Sequence, residues 1–265
     1  MKRLALPLLI AATPVTGFAQ DYDNLAKVDL LPGWRTEAGD HIAALQITLR
    51  PGWVTYWRSP GDGGIPPDIR FGGDATIESI TPRWPTPKVF GENGMLSIGY
   101  YDGVTVPLEI DLSGGADAVQ ISGQITIGVC EEVCIPVTVN FDTLLPAIGA
   151  SDPVITDALA QQPISANAAG VGTVSCTVDP IADGLQVTAS ITMPPHGTNE
   201  HVVIEAADPR VWVSEADVSR SGNTLRATVD MVHPTGAPFA LDRNGMRLTV
   251  FGDGPAVDIQ GCSAR

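Results

Sequence analysis

Short runs of alternating apolar and polar residues, cut by glycine and proline, recur along almost the whole chain, and this pattern leaves little room for anything but β-structure. Ala43–Leu49 alternates apolar with small or polar residues as a half-buried strand does, and similar runs follow at Val54–Trp57, Ala75–Ile80, Leu96–Tyr101, Val104–Ile110, Val119–Ile127 and Val133–Phe141. Between them stand Pro51-Gly52, Gly61-Asp62-Gly63-Gly64, Gly72-Gly73 and Gly114-Gly115, which are turn signals. The texture returns at Thr173–Val178, Leu185–Thr192, Val202–Glu205, Leu225–Val229, Met246–Phe251 and Val257–Gln260. With 28 glycines and 22 prolines in 265 residues, turns are frequent enough to separate that many strands. Strands at this spacing predict antiparallel sandwiches.

Pro146 to Gly170 reads differently. Ser151-Asp152-Pro153 offers an N-cap followed by proline in the first helical turn, which predicts one short helix to about Gln161 and then a loose Ala/Asn/Gly linker. The predicted organisation is a first domain over 21–146, a short helix and linker over 147–170, and a second β-sandwich domain over 171–265.

Residues 1–20 form an address, not part of the fold. Lys2 and Arg3, the apolar run Leu4–Ala12 and the small residues of Gly17-Phe18-Ala19 predict a secretory signal peptide cut near Ala19 or Gln20. The run is too short to span a bilayer, and its bacterial proportions predict a periplasmic protein. A formal charge of −15 repels nucleic acid and anionic lipid, so neither is expected as a partner. The chain has no Gly-x-Ser-x-Gly elbow, Walker loop or His-Glu-x-x-His, and no histidine stands beside an evident nucleophile. Hydrolase and nucleotide-dependent chemistry are therefore not expected, and no cofactor is called for.

Four cysteines remain: Cys130, Cys134, Cys176 and Cys262. In an oxidising compartment an even count points to disulfides, with three possible pairings. Cys176 and Cys262 bracket most of the C-terminal third, where a bridge is worth roughly 4–5 kcal/mol in chain entropy, against about 2 for a ring closed by Cys130 and Cys134. The long pair reads as structural and the short pair as chemical. A Cys176–Cys262 bridge is expected to join the second domain's first strand to its last.

The β-branched residues around Cys130-Glu131-Glu132-Val133-Cys134 predict a strand, a tight turn and a return strand, unlike the helix N-terminus that carries Cys-x-x-Cys pairs. Ile125, Ile127, Val129, Val133, Ile135, Val137 and Val139 share one parity and are expected on the core face, with Cys130 and Cys134 on the other, more polar face. Cross-strand neighbours have Cβ atoms about 4.5–5.5 Å apart, close to what a disulfide requires, so the pair can open and close with little backbone movement. Glu131 and Glu132 are expected to disfavour a thiolate beside them.

Three ordered motifs then resemble a known family: Gly52-Trp53-Val54-Thr55-Tyr56-Trp57-Arg58-Ser59-Pro60-Gly61-Asp62, then Phe90-Gly91 leading to Ile98-Gly99-Tyr100-Tyr101-Asp102-Gly103-Val104-Thr105-Val106-Pro107-Leu108, then Cys130…Cys134-Ile135-Pro136. Over about residues 25–145 the chain resembles the N-terminal periplasmic domain of the DsbD thiol:disulfide interchange proteins, most closely the ScsB-like branch associated with copper tolerance. The resemblance implies an immunoglobulin-like fold for that stretch and a protein-disulfide reductase component; with the second series of strands, the expected fold is all-β, two immunoglobulin-like antiparallel sandwiches. In it Cys130 and Cys134 pass reducing equivalents from a membrane-embedded thiol donor, here on a separate chain, to an oxidised periplasmic thioredoxin-like client. It assigns contact with the client to Cys134 and resolution to Cys130, and site-lining or cap roles to Tyr56 and Phe90, with Glu131 and Glu132 in part replacing missing cap acids. The departures are the spacing of the cysteines, wider in DsbD, and the cap stretch, which reads Pro85-Thr86-Pro87-Lys88-Val89-Phe90-Gly91 without acids.

Blander readings stand beside these. The Cys130–Cys134 pair can be an inert hairpin staple in a protein-binding sandwich, and Trp53, Tyr56 and Trp57 can be core aromatics. The Trp57–Pro67 stretch reads as a turn sooner than as a ligand loop. A copper-handling alternative rests on Met193, His196, His201, Met231 and His233, whose thioether and imidazole groups suit copper; ordinary strand filling is the better expectation for them.

Overall fold

The computed structural model describes residues 25–92, 95–114, 117–236 and 239–264; the leader expected over residues 1–20 lies outside them. The first ten strands are β1 (Ala26–Arg35), β2 (His41–Leu49), β3 (Val54–Tyr56), β4 (Asp68–Gly73), β5 (Ile77–Pro82), β6 (Lys88–Glu92), β7 (Met95–Tyr101), β8 (Gly103–Leu112), β9 (Val119–Cys130) and β10 (Cys134–Leu145). They form two antiparallel sheets. One runs β1-β2-β8-β5, and the other runs β10-β9-β3-β7-β6 with β4 also on β9. Leu45, Ile47, Leu108 and Ile110 of the first face Ile121, Ile125, Ile127, Val129 and Phe141 of the second in one core.

Helix α1 (Pro153–Ala160) follows. Asp152 caps it by accepting the Val154 N–H at 2.8 Å, Pro153 opens it, and the buried Ile155 and Ala158 turn the helix onto β8.

The remaining strands are β11 (Ile164–Ser165), β12 (Val174–Pro180), β13 (Leu185–Thr192), β14 (His201–Glu205), β15 (Trp212–Val213), β16 (Asp217–Ser221), β17 (Thr224–Val232), β18 (Arg247–Phe251), β19 (Val257–Gln260) and β20 (Ser263–Ala264). Their sheets run β11-β19-β18-β14 and β15-β17-β13-β12-β20, with β16 on β17. Val187, Ala189, Ile191, Leu225 and Val229 meet Val202, Ile204, Leu248, Val250 and Ile259 in a second core, which also holds Cys176 and Cys262. The architecture is all-β and immunoglobulin-like, with α1, the one helix among the described residues, between the two series of strands.

Three details depart from the sequence reading. Ile164 and Ser165 fall in the stretch read as a linker, yet they pair in parallel with Val257 and Asp258. A second parallel pairing joins β12 to β20, so the sheets are not wholly antiparallel. Cys262 lies between β19 and β20 and not within the last strand.

The two series meet in a third apolar cluster, where Trp57, Trp84, Ile98, Tyr100 and Val106 pack with Phe251 and Ala256.

His41 opens β2 fully buried; its Nε2–H donates to the Pro32 carbonyl at 2.6 Å, while Nδ1 has no partner among the described residues. Burial lowers its pKa below the ordinary 6.5, the Arg35 charge lowers it further, and the Pro32 hydrogen bond opposes both. The unfolded chain thus binds a proton near pH 6.5 that the folded protein takes up only at lower pH. The resulting stability is full above pH 6.5 and drains away as pH falls through the folded value. Urea midpoints are expected to fall from pH 7.5 to pH 5, and to fall less steeply in His41→Gln.

Candidate functional site

β9 and β10 form a hairpin whose ladder runs in unbroken register from Val119↔Leu145 to Cys130↔Cys134. The two cysteines are the last cross-strand pair before the loop Glu131-Glu132-Val133, with Cα atoms 4.1 Å apart and a disulfide between them. Ile125, Ile127 and Val129 are buried as parity predicts, and Ile135, Val137 and Val139 pack against the same core. Val133 departs from that expectation: it is a loop residue, 68 % exposed, because the alternation ends with the ladder at Cys130. Glu131 and Glu132 are exposed beside it.

The two sulfurs sit in unequal surroundings. Cys130 is only 3 % exposed, whereas Cys134 is open to solvent. The difference arises in how β9 shares its free edge: β3 pairs with it at Cys130 and Val129, the chain loops away over residues 57–67, and β4 rejoins at Thr126. At Gly128, between the two pairings, the Thr55 hydroxyl donates to the carbonyl at 2.9 Å.

Tyr56 ends β3 on the same face as the cysteines. A Cβ on Gly128 would lie 2.7 Å from Ile65 Cβ and 3.1 Å from the Tyr56 ring, and one on Gly64 would lie 2.6 Å from that ring. The two glycines thus let the phenol ring and Ile65 settle against β9. The Tyr56 hydroxyl stands 3.3 Å from Cys134 Sγ, and since a disulfide sulfur carries no proton, the phenol donates. Burial pushes the Tyr56 pKa above its ordinary 10.0, so the group stays protonated at neutral pH.

The motifs that carried the family resemblance converge on this face. Val54 pairs with Cys130 on one side and Tyr101 on the other. Asp102, at φ 61, turns β7 into β8 and accepts the Gly52 N–H on its carboxylate at 2.6 Å, while its own N–H donates to the Trp53 carbonyl. The β3 segment beside the cysteine strand and the β7–β8 turn beyond it are therefore bolted together.

Phe90 lies elsewhere than a direct cap over the sulfurs. It sits on β6, three strands from Cys130, or roughly 14 Å at the usual strand spacing. Its ring packs on Tyr101 at 5.1 Å, so any cover it gives the pair is relayed through Tyr101. Sequence reasoning missed Gly64, Ile65 and Gly128; the Gly61-Asp62-Gly63-Gly64 run was the available signal, read only as a turn.

The five residues of the copper alternative are dispersed. Met193 and Met231 lie in the second core, at opposite ends of the β13–β17 pairing. His196 bonds the Pro255 carbonyl at 2.7 Å, and His233 stacks near Phe239. Among the described residues no three His, Cys, Asp or Glu side chains are grouped as a metal site would need.

Residues 27–146 match the family model described as thiol:disulfide interchange protein DsbD, N-terminal. Among solved structures, the N-terminal periplasmic domain of ScsB from Proteus mirabilis is similar at 24 % identity and a TM-score of 0.60, covering 90 % of this chain and 92 % of that one. At that identity the likeness shows the fold. A search of curated proteins returned no match.

Proposed function

We propose, taking residues 27–146 as a domain of the DsbD N-terminal kind, that this chain is a periplasmic thiol–disulfide exchange protein working through Cys130 and Cys134. The observation that carries the reading is the asymmetry of the pair: an exposed Cys134 with a phenol donor on its sulfur, joined to a buried Cys130 at the loop end of a hairpin. Among the described residues no helix is long and apolar enough to cross a membrane, and the similar ScsB domain is periplasmic by name.

In the reducing direction the Cys134 thiolate attacks a client disulfide, forms a mixed disulfide and expels one client thiolate. The Cys130 thiolate then attacks Cys134 Sγ, expels the second client thiolate and closes the Cys130–Cys134 bond. Two electrons and the balancing protons pass to the client. A membrane-embedded dithiol restores the reduced pair, and the client is a thioredoxin-like periplasmic protein. The 5.1 Å Phe90–Tyr101 pair and Tyr56 shape the face that receives it, with Val133 presenting apolar surface at its rim. Cys176–Cys262, buried in the second core, is structural.

The reading is tested by mixing the reduced protein with an oxidised thioredoxin-fold protein and counting thiols by alkylation and mass. Two thiols are expected to vanish from Cys130 and Cys134 as two appear in the client. Full retention of the Cys130 and Cys134 thiols over hours contradicts it.

A further inference from the structure

The phenol beside Cys134 is anchored from the other series of strands. After Tyr56 the next two side chains turn to the other series of strands, while the Trp57 N–H still donates to the Ile98 carbonyl of β7 at 2.9 Å. Trp57 is fully buried and sets its ring edge-to-face with Phe251 of β18, centroids 5.6 Å apart. Its indole N–H has no partner among the described residues, so apolar packing and not a hydrogen bond holds the ring there. The Arg58 guanidinium lies 3.9 Å over the Trp57 ring. From there it makes a two-pronged ion pair with Glu205 of β14, Nε to Oε1 at 2.9 Å and Nη2 to Oε2 at 2.8 Å. Both side chains are largely withdrawn from water, at 17 % and 23 % exposure, where a paired fork holds direction better than a surface ion pair does. Arg247, directly across from Glu205 in the β14–β18 ladder and itself paired with Asp258, adds a second positive charge to the Glu205 environment.

Farther along the loop, the Pro60 carbonyl accepts the Ile98 N–H at 2.8 Å. The chain then comes back to lay Gly64 against the Tyr56 ring. The phenol is thus fixed from behind by its own loop and from ahead by a clamp 147 residues distant in sequence.

We infer that Glu205 is a positioning residue for the cysteine pair: by gripping Arg58 it fixes the chain two residues beyond Tyr56 and holds the phenol on Cys134 Sγ. This gives the C-terminal strands a part in the chemistry beyond support, and it rests on the reading of Cys130–Cys134 as the exchanging pair. In the reduced protein a phenol O–H donated to the Cys134 thiolate favours the charged form, which is the nucleophile. Glu131 and Glu132, the exposed carboxylates on the loop between the two cysteines, oppose it and are unchanged in every variant below.

The test uses the full chain carrying Cys130→Ser, so that Cys134 is the one free thiol, and reads iodoacetamide alkylation against pH. Glu205→Gln is expected to raise the midpoint of the profile and slow alkylation at pH 7 by about three- to tenfold, the worth of one hydrogen bond. In a Tyr56→Phe background the same substitution is expected to change nothing further. Should Glu205→Gln disturb the fold, as judged by near-ultraviolet circular dichroism, Arg58→Lys keeps the charge, loses the fork and is expected to shift the profile in the same direction. An unshifted profile in the Tyr56 background, or an equal shift in both backgrounds, overturns the inference. The functional reading fails separately: a wild-type pair that will not exchange with glutathione sinks it, whatever the alkylation profile shows.

Discussion

Cys130→Ser protein, reduced and mixed with an oxidised thioredoxin-fold client, is expected to accumulate as a mixed disulfide through Cys134, while Cys134→Ser protein is expected to yield almost none. Thiol exchange needs approach in line with the disulfide bond being broken, and only Cys134 is open to it; Cys130, at 3 % exposure, lies between β10 and β3, where Val54 pairs with it. With Cys130 gone, the group that would expel the client is missing, so an intermediate that resolves quickly in the parent lives for hours. Non-reducing electrophoresis with mass determination of the linked peptides measures it, and a difference of two orders of magnitude or more in trapped complex is expected between the two variants. Equal trapping by both would mean that the buried and exposed sulfurs are equivalent, against the asymmetry on which the reading depends.

The second large effect is on stability. Replacing both Cys176 and Cys262 with serine is expected to cost about 4–5 kcal/mol, because the bond closes a separation of 86 residues and removes that loop's freedom from the unfolded chain. Both sulfurs are buried in the second core, so the serine hydroxyls left behind add to the loss. Replacing Cys130 and Cys134 together is expected to cost only about 2 kcal/mol, since their separation is 4. Urea unfolding of the two double variants makes the comparison. Similar losses from both would show that the hairpin bond is as much a structural tie as the long one.

How much of this was legible in the sequence depends on where each strand lies. β13 and β19 fall where alternation places them, because each lies inside a sheet with one face on the core. β1, β6 and β16 escaped because they are edge strands with mixed exposure, whose side chains need not alternate. β1 also carries Pro32 and Gly33 at a break in register between Leu31 and Trp34, which an edge tolerates and a central strand does not. β11 was hidden for another reason: two residues in a parallel pairing leave no periodic trace.

At the site, spacing and parity were enough to make Cys130 and Cys134 cross-strand partners, but not to distinguish their exposure. That difference comes from β3 and the 57–67 loop crossing onto the β9 edge, a tertiary fact. Tyr56 came from the family resemblance, and its hydroxyl stands 3.3 Å from Cys134 Sγ. Phe90 was carried over by the same route and stands three strands from Cys130, since strand order cannot be read from a motif. The Arg58–Glu205 clamp left no local signal at all, because a salt bridge across 147 residues is written in neither neighbourhood.

The most direct measurement is the reduction potential of the Cys130–Cys134 pair, taken in glutathione buffers on a Cys176→Ser/Cys262→Ser variant that remains folded at the working temperature, with free thiols trapped and counted. Exchange activity predicts a value of roughly −270 to −120 mV, within reach of thioredoxin-like partners. A value below about −300 mV would contradict it and leave a stapled hairpin in a binding sandwich.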